Sequence, residues 1–437
     1  MSTKHGLRRG CDDARHGSGS ARGSRIMTTA VAPITPAHTT APPWPQGFIS
    51  AGIAAGIKKD GSTDLALLTS DGRGSGELSA AAVFTRNLIV AAPIQLSRAN
   101  LAASGGRVRA LLINSGCANA ATGDDGMLRA VQSTTALAER LGIDSRSVLV
   151  NSTGVIGVAL PIDRIKGALD ALIAAQQPGS CESFARAIMT TDTRPKWSSR
   201  SIHWMDGVTQ RNCTVTGVVK GAGMIHPNMA TMIAVIATDA TLEPDELHGH
   251  LRSAVDCSFH RISVDGDTST NDSVFALASN RAGTAPTAQL AEAFEQVGQE
   301  LALMVVRDGE GSERGIEVRV TGARTQGDAL QVARTVAMSL LVRTAVTGGD
   351  PNWGRILAAA GRAGIPFDPN RLRVGAGGIA LFADGSPTHA EIGAVRAAFT
   401  ADCVRIELDL AMGEARDLFW SCGLTKRYVE INADYTT

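Results

Sequence analysis

The stretch that divides this chain runs from Lys220 to Met232 and reads KGAGMIHPNMATM. It places Thr231 after a glycine-rich turn that contains a proline, at the start of the apolar run at residues 232–236. A short apolar run bounded by turn residues predicts a buried strand. A turn that leads into a strand is the simpler interpretation of this stretch, and local composition alone favours it.

The same stretch also permits a chemical interpretation. A threonine hydroxyl is a weak nucleophile unless a base lies beside it, and cleavage of the chain before Thr231 would supply that base as a new α-amine. A free α-amine titrates at about 7.7–8.0 and a lysine at about 10.4, so the amine is the better base near pH 7. The stretch therefore raises the hypothesis of self-cleavage between Ala230 and Thr231.

Composition limits the classes of function. The chain has 437 residues, of which 44% are apolar, so it is long enough for two large lobes around a buried core. Lysine plus arginine equals aspartate plus glutamate at 42 each, and aromatic residues make up 4%. Neither basic patches nor stacking platforms are indicated. No apolar run approaches the roughly 20 residues that span a bilayer. We therefore expect no binding to nucleic acid or membrane.

Cysteines and histidines give no sign of a metal or a disulfide framework. The seven cysteines are scattered and never spaced as CxxC, which favours free thiols in a reducing compartment and predicts a cytoplasmic protein. The nine histidines form no HExxH motif. Asp265, Asp267 and Asp272 lack the spacing of a calcium loop, and structural turns are the favoured interpretation. Nucleophile-elbow, dinucleotide and phosphate-loop motifs are absent, and we expect no cofactor.

The first 46 residues differ from the rest of the chain. Basic residues among glycines and serines extend to residue 26, and residues 28–45 are rich in threonine, alanine and proline. This composition predicts a disordered tail at residues 1–46, with Met27 as a possible true start. A transit peptide is the alternative, although Asp12 and Asp13 are unusual in one.

From Gly47 onward, strand-like and helix-like patterns alternate. The predicted strands and helices are strands at 108–114, 147–152, 316–321, 372–382 and 404–410, and helices at 127–141, 244–259 and 287–306. Apolar and polar residues alternate strictly at 404–410, so one face of that strand should be wet. These patterns predict an α/β chain, but periodicity does not give its layering.

Several blocks of this sequence resemble, in the same order, those of the ornithine acetyltransferase (glutamate N-acetyltransferase) family of arginine biosynthesis. Besides the stretch quoted above, they are NSGCANA at 114–120, STGVIG at 152–157, MTTD at 189–192, DTSTND at 267–272, DPNWGR at 350–355 and INADYTT at 431–437. The likeness extends from about Gly47 to the last residue. Each block alone is weakly specific, whereas all seven in register identify the family.

The resemblance implies a layered α/β fold in which sheets are packed between helices, related to self-processing aminopeptidases with an N-terminal nucleophile. It also implies that self-cleavage divides the chain into an α segment, residues 47–230, and a β segment, residues 231–437. Family members assemble from two α and two β segments, and we expect the same here.

The resemblance further assigns roles to individual residues. Thr231 matches the nucleophile, and Thr153 and Gly154 match the pair that forms the oxyanion hole. A glycine suits that hole because it lets the substrate approach closely. The residues that match substrate contacts are Thr190, Lys220, Thr231, Glu310, Asn432 and Thr437. Contacts from Asn432 and Thr437 imply that the end of the chain folds back over the pocket.

The activity implied is transfer of an acetyl group from N2-acetyl-L-ornithine to L-glutamate through an acetyl-threonine enzyme. Some family members also use acetyl-CoA, and the sequence leaves this second donor open. Two alternatives stay open as well. One is a self-processing amidohydrolase or aminopeptidase, in which water discharges the acyl-enzyme. The other is an uncut, non-catalytic relative that only binds ligands.

Four residues depart from the family pattern. Cys117, His226, Leu340 and Arg343 stand where other residues are usual, and none of them is a residue to which the resemblance gives a role. An imidazole at His226, five residues before Thr231, would be able to tune cleavage. A surface histidine in a turn is the simpler interpretation.

Overall fold

The computed structural model describes residues 40–72, 76–226 and 232–434, and the elements named below lie within these ranges. The strands in chain order are β1 Phe48–Ile53, β2 Leu65–Ser70, β3 Leu78–Phe84, β4 Arg107–Val108, β5 Ala110–Cys117, β6 Val148–Val155, β7 Lys196–Asp206, β8 Thr209–Lys220, β9 Ile233–Ala240, β10 Ser273–Gly283, β11 Gly315–Ala323, β12 Arg373–Ala376, β13 Ile379–Ala383, β14 Ser386–Pro387, β15 Cys403–Asp409 and β16 Ala415–Cys422.

The helices separate these strands along the chain. They are α1 Ala92–Ala103, α2 Gly123–Leu141, α3 Ile162–Ala174, α4 Glu182–Ala187, α5 Pro244–Cys257, α6 Thr287–Arg307, α7 Gln326–Ala337, α8 Leu340–Thr347, α9 Trp353–Gly361, α10 Ile392–Phe399 and α11 Lys426–Asp434. The helices predicted at 127–141, 244–259 and 287–306 are confirmed as α2, α5 and α6. Helix α2 ends where Gly142 adopts a left-handed conformation with φ 65°, as its glycine predicts.

The strands form three sheets. The first has the order β1-β2-β5-β6, the second β4-β3-β10-β9-β8-β7, and the third β14-β13-β12-β15-β11-β16. The pairs β5–β6, β9–β10 and β11–β15 are parallel, and the other pairs are antiparallel. Strands β9 and β10 follow residue 231 in the chain, yet they lie between β3 and β8, which precede it. The predicted α and β segments therefore share the second sheet.

The first two sheets pack face to face, and the alternation of side chains along each strand makes this packing possible. Along β2, Ala66 and Leu68 point into a core that also contains Val235 and Phe275 of the second sheet, whereas Leu65 points to the opposite face. Successive side chains of a strand point to opposite faces, so each face of β2 can be buried against a different layer. The continuous apolar run of this strand is the pattern expected when both faces are covered.

Helices cover both outer faces of this pair of sheets. On the first sheet, α2 and α3 bury Leu137 and Leu169 in the same core as Leu65. On the second sheet, α6 lies against β8, where a side chain at Gly217 would meet Leu301 at 2.7 Å. The order of layers is helix, sheet, sheet, helix. The predicted layered α/β fold is confirmed.

The third sheet has its own hydrophobic core, and an ion pair connects it to the part of the molecule formed by the first two sheets and their helices. Its apolar face, which includes Val318 and Ile406, packs on helices α7 and α9. Along β15, Val404, Ile406 and Leu408 are buried and Arg405 is exposed, so the predicted wet face is confirmed. Arg261 donates two hydrogen bonds of 3.0 Å to Asp417 across the junction.

Two predictions from the sequence were wrong in detail. The single strand predicted at 372–382 is two strands, β12 and β13, because Gly377 and Gly378 take positive φ angles of 58° and 81° and reverse the chain. The second concerns the disordered tail, which was predicted to extend to residue 46, whereas the ordered structure already includes Trp44. Trp44 is only 5% exposed, and its indole N–H donates to Ser50 at 2.9 Å. Most of the predicted tail lies outside the described residues.

In the described part of the chain, no helix by itself has the length and hydropathy to cross a membrane. Helices α7 and α8 meet that criterion only as a pair, with a bend of 57° between them.

Candidate active site

The neighbouring ends of parallel strands β5 and β6 form one wall of a pocket. Thr153 and Gly154 lie just before Val155, the last residue of β6. Strand β5 beside it has an irregular register at Gly116 and Cys117. Such bulges redirect the chain at the ends of strands. Gly154 has a φ of 129°, and an added Cβ would lie 2.4 Å from the carbonyl carbon of Gly116. Only glycine fits this position.

Lys220 reaches the same place from the second sheet. It is the last residue of β8, only 2% exposed, and is paired with Ile233 of β9. Its ammonium donates a hydrogen bond of 3.3 Å to the hydroxyl oxygen of Thr153. Because an ammonium can only donate, Thr153 must accept, and its own hydroxyl proton is left free to be donated elsewhere. The contact thus orients Thr153 as a donor.

Thr190 lies in the bend after helix α4, and its backbone N–H donates to Asp192 at 3.0 Å. Asp192 also accepts the N–H of Gly221 at 2.6 Å. One carboxylate therefore ties the segment of Thr190 to the residue that follows Lys220.

Glu310 lies in the loop after α6 and closes the pocket on the side that faces α11, the last helix. Its backbone N–H donates to Ala222 at 3.0 Å, and its carboxylate accepts the side-chain amide of Asn432 at 2.8 Å. The carboxylate lies directly on Gly223, where an added Cβ would be 2.4 Å from the Glu310 Cδ. Asn432 belongs to α11, so the predicted folding back of the chain end over the pocket is confirmed as far as this residue.

Six of the nine predicted site residues thus meet in one cavity of about 110 Å³. Its lining residues are Ala118, Thr153, Gly154, Ile156, Thr190, Thr191, Lys220, Gly223, Met224, Ser269, Asn271, Glu310 and Asn432. The other three predicted residues, Ala230, Thr231 and Thr437, lie outside the described residues.

A wider surface cleft of about 850 Å³ lies elsewhere, between Arg324, Phe367 and Met412 around the third sheet. The cavity and the cleft lie at opposite ends of strand β11. The strand begins at Gly315, after the loop that contains Glu310, and ends at Ala323, next to Arg324 of the cleft. None of the six described site residues lines the wider cleft. We therefore place the candidate active site in the smaller cavity.

A buried amide and a buried carboxyl support the floor of the cavity. Asn271 is 3% exposed, and its side-chain amide donates to the carbonyl oxygens of Ala118 and Ser152 at 2.7 and 2.8 Å. Asp272 is fully buried, and one of its oxygens accepts the N–H of Met232 at 3.1 Å. Because Met232 follows Thr231 in the chain, this contact fixes the residue next to the predicted nucleophile.

Asp265 fixes the turn that leads to residues 227–231. It accepts the backbone N–H of Met224 at 2.5 Å and of Ile225 at 2.8 Å. Met224 has a positive φ of 55°, which is unusual for a residue with a side chain, so these bonds stabilise a strained turn. His226 follows, half-buried, with its imidazole 3.2 Å from the hydroxyl of Ser263. It is therefore not the freely exposed histidine of the simpler interpretation.

Burial dominates the electrostatics of this site. It lowers the pKa of Lys220, while the charges of Asp192, Asp272 and Glu310 raise it and that of Lys196 lowers it. Burial raises the pKa of Asp272 well above its ordinary value, against the hydrogen bond from Met232 and the charge of Lys220. Burial likewise raises the pKa of Asp265 to about 6. Shifted titratable groups in a cavity are typical of catalytic sites.

These groups suit acyl transfer. A buried ammonium can bind a substrate carboxylate, and a carboxylate at the other end can bind an ammonium. A hydroxyl donor and a glycine N–H at the end of a strand can stabilise an oxyanion. Within the described residues, no three histidine, cysteine, aspartate or glutamate side chains are grouped so as to hold a metal ion.

Sequence reasoning missed the buried carboxylates. Asp265 and Asp272 were interpreted as turn residues, and Asp265 does hold a turn, but both also lie beside the cavity. Asp192 was seen only as part of the block at 189–192. The available signal was a set of carboxylates inside apolar regions, since buried charges need specific partners.

Comparisons with known proteins agree on one family. The sequence model of the ArgJ family matches residues 49–437. The arginine biosynthesis bifunctional protein ArgJ of Thermosynechococcus vestitus is 44% identical over 414 residues, which cover 90% of this chain and 97% of that protein. The protein of the same name from Parasynechococcus marenigrum is 43% identical over 394 residues, with coverage of 90% and 94%.

Two solved structures are also similar. The crystal structure of the arginine biosynthesis bifunctional protein from Bacillus halodurans is 37% identical, covers 45% of this chain and 96% of that one, and has a TM-score of 0.43. The ornithine acetyltransferase from Mycobacterium tuberculosis, complexed with ornithine, is 34% identical, with coverage of 42% and 92% and a TM-score of 0.36.

Proposed function

Because this chain belongs to the ArgJ family, we propose that it transfers an acetyl group from N2-acetyl-L-ornithine to L-glutamate through an acetylated Thr231. The observation that carries the proposal is the convergence of Lys220, Glu310 and the pair Thr153–Gly154 on one cavity. The ammonium and the carboxylate match the two charged ends of ornithine, and the pair matches the needs of an acyl-transfer transition state.

Maturation precedes transfer in this proposal. The hydroxyl of Thr231 attacks the carbonyl carbon of Ala230, and the peptide bond between them breaks as an ester forms. Water then hydrolyses this ester, which leaves a carboxylate on Ala230 and a free α-amine on Thr231. Asp265 and Asp272 hold the flanking residues Met224 and Met232, so the segment to be cleaved is fixed at both ends.

The first half-reaction then acetylates the enzyme. Lys220 binds the α-carboxylate of N2-acetyl-L-ornithine, and Glu310 binds its side-chain ammonium. The hydroxyl of Thr231 attacks the acetyl carbonyl and passes its proton to its own α-amine. Thr153 and Gly154 donate hydrogen bonds to the oxyanion, each worth about 2.7–4 kcal/mol in comparable enzymes. The C–N bond breaks, and ornithine leaves with the proton on its nitrogen.

The second half-reaction regenerates the enzyme. The neutral α-amine of L-glutamate attacks the ester carbonyl of acetyl-Thr231, with its carboxylate again on Lys220. The proton of that amine passes through the α-amine of Thr231 to the departing threonine oxygen. The products are N-acetyl-L-glutamate and free Thr231. All groups in this cycle come from the chain or the substrates, so the proposal requires no cofactor.

Three further parts of the proposal concern donors, assembly and location. The relatives are named bifunctional, and we include acetyl-CoA as a second acetyl donor, to be tested by replacing acetylornithine with acetyl-CoA in the same assay. We also propose assembly from two α and two β segments, to be tested by the mass of the native complex. The proposed location is the cytoplasm, to be tested by cell fractionation.

Product analysis tests the transferase proposal. The purified protein is incubated with N2-acetyl-L-ornithine, with and without L-glutamate, and N-acetylglutamate and acetate are quantified. We expect N-acetylglutamate in proportion to ornithine, and little acetate. Free acetate at equal rates with and without glutamate would instead establish the amidohydrolase alternative. Saturable binding without any product would establish the non-catalytic alternative.

A further inference from the structure

Behind the cavity lies a buried cluster of three charged side chains. Lys196, at the start of β7, donates a hydrogen bond of 2.6 Å to Asp192 and lies 2.6 Å from Asp308, the residue after α6. The exposed fractions of these side chains are 1% for Lys196, 0% for Asp192 and 3% for Asp308. The cluster does not line the cavity, and none of its members has a role in the proposed reaction.

Asp192 connects the cluster to two proposed substrate contacts. One of its oxygens accepts the N–H of Thr190 at 3.0 Å, and the other accepts the N–H of Gly221 at 2.6 Å. Thr190 itself lines the cavity, and Gly221 directly follows Lys220. The carboxylate of Asp192 therefore fixes the backbone at both contacts.

Asp308 connects the cluster to the third proposed contact, two residues further along the chain. It accepts the N–H of Thr193 at 3.1 Å and also the hydroxyl of the same residue. Asp308 is thereby attached to the segment of Asp192, and Glu310 follows it after one glycine. The three proposed contacts Thr190, Lys220 and Glu310 are each attached to one rigid charged group.

The charge of the cluster also matters to Lys220. Two carboxylates and one ammonium give a net charge of about −1, next to the buried ammonium of Lys220. Burial favours the neutral form of Lys220, and Asp192 opposes this more strongly than any other charge. Within the described ranges, the charges with the largest effect on the pKa of Lys220 are those of Asp192, Lys196, Asp272 and Glu310. Without Asp192, the ammonium would lose its proton at a lower pH.

We propose that Asp192, supported by Lys196 and Asp308, is a positioning residue that places Thr190 and Lys220 and keeps Lys220 charged for the substrate carboxylate. The inference rests on the proposed function, because that function gives Lys220 its carboxylate ligand. It adds a role for residues that contact no substrate.

The test compares Asp192→Asn with wild type across pH. Wild type and variant are assayed for kcat/KM with N2-acetyl-L-ornithine from about pH 6 to about pH 9, below the ordinary lysine pKa of about 10.4. Titration of the substrates cancels in the ratio of variant to wild type. We expect this ratio to fall by about tenfold as pH rises, which corresponds to loss of one charge-assisted hydrogen bond. A ratio that stays constant would overturn the inference.

Asp239→Asn is the matched control. Asp239 is also buried and accepts two backbone N–H groups, from Thr214 at 2.7 Å and Gln46 at 3.2 Å. It lies near the end of β9 away from Ile233, about 20 Å along the strand. Like Asp192→Asn, this substitution removes a buried carboxylate that accepts two backbone N–H groups. The ratio of its kcat/KM to that of wild type should not change with pH in the assayed range. An equal fall in both variants would show a general effect of destabilisation.

Asp308→Asn keeps the inference testable if Asp192→Asn does not fold. This variant keeps Asp192 in place but removes a carboxylate that offsets the charge of Lys196, and Lys196 disfavours the charged form of Lys220. Its ratio should therefore fall with pH in the same direction but less. Calorimetric binding of L-ornithine across the same pH range gives a second measurement that needs no turnover. If wild type binds ornithine but transfers no acetyl group, the proposed function fails and the binding data still decide the role of Asp192. A variant that binds with the pH dependence of wild type would refute that role.

Discussion

Gly223→Ala offers a selective way to move Glu310. An added Cβ at Gly223 would lie 2.5 Å from each carboxylate oxygen of Glu310, whereas ordinary contact begins at 3.4 Å. The carboxylate must therefore retreat by about 0.9 Å, the difference between these two distances. Gly223 does not have a positive φ, so an alanine at this position imposes no backbone strain. The substitution changes the position of a flexible charged group and little else.

The cost follows from the contacts that Glu310 makes. A shift of this size breaks or lengthens the 2.8 Å hydrogen bond from Asn432 and misplaces the proposed partner of the substrate ammonium. A hydrogen bond to a charged group contributes about 1.5–3 kcal/mol. We therefore expect kcat/KM for N2-acetyl-L-ornithine to fall by about 10- to 150-fold.

The assay needs two controls. Gly249→Ala, in helix α5, meets nothing within 4 Å and should keep wild-type activity. An N2-acetyl amino acid without a side-chain ammonium should react equally with wild type and Gly223→Ala, because it makes no use of Glu310. Intact mass must show that both variants are cleaved like wild type. If cleaved Gly223→Ala retains the wild-type kcat/KM for N2-acetyl-L-ornithine, the placement of the ammonium on Glu310 is refuted.

Three further predictions concern the oxyanion hole, the turn and the end of the chain. Gly154→Ala should lose at least about 100-fold in kcat, because its Cβ would overlap the backbone at Gly116 and displace a proposed oxyanion donor; near-normal kcat would refute that role. The raised pKa of Asp265 means that stability falls as pH rises through about 6. Chemical denaturation should therefore show wild type losing about 2 kcal/mol more than Asp265→Asn between about pH 4 and about pH 7. The exposed Asp402→Asn, remote from Asp265 in the sequence and not among the charges that act on it, should behave like wild type, and parallel curves for all three would contradict this linkage. Asn432→Ala should cleave normally but raise KM for N2-acetyl-L-ornithine by about tenfold; an unchanged KM would remove Asn432 from the site.

Local patterns predicted the elements whose signals are local. Helix α2 was predictable because its apolar spacing ends at Gly142, whose left-handed conformation terminates it. Strand β15 was predictable because its alternation matches one buried and one wet face. Strands β12 and β13 were merged because the apolar run does not show that Gly377 and Gly378 reverse the chain.

The site was predictable only in part, for a physical reason. Lys220 and Thr153 lie at the ends of strands, and the family resemblance names both. Their hydrogen bond joins residues 67 positions apart on two different sheets, so no spacing in the sequence reports it. The same holds for Lys196 and Asp308, which meet only because β7 lies beside the end of α6. Pairing of buried charges is a property of the packed chain.

The most direct measurement of the account is the intact mass of the purified protein beside its Thr231→Ala variant. The account predicts two fragments for wild type, with a new N-terminus at Thr231, and one uncut chain for the variant. After addition of N2-acetyl-L-ornithine without glutamate, the second wild-type fragment should gain the mass of one acetyl group. A wild-type chain that stays uncut, or a variant cleaved at the same bond, would contradict the account.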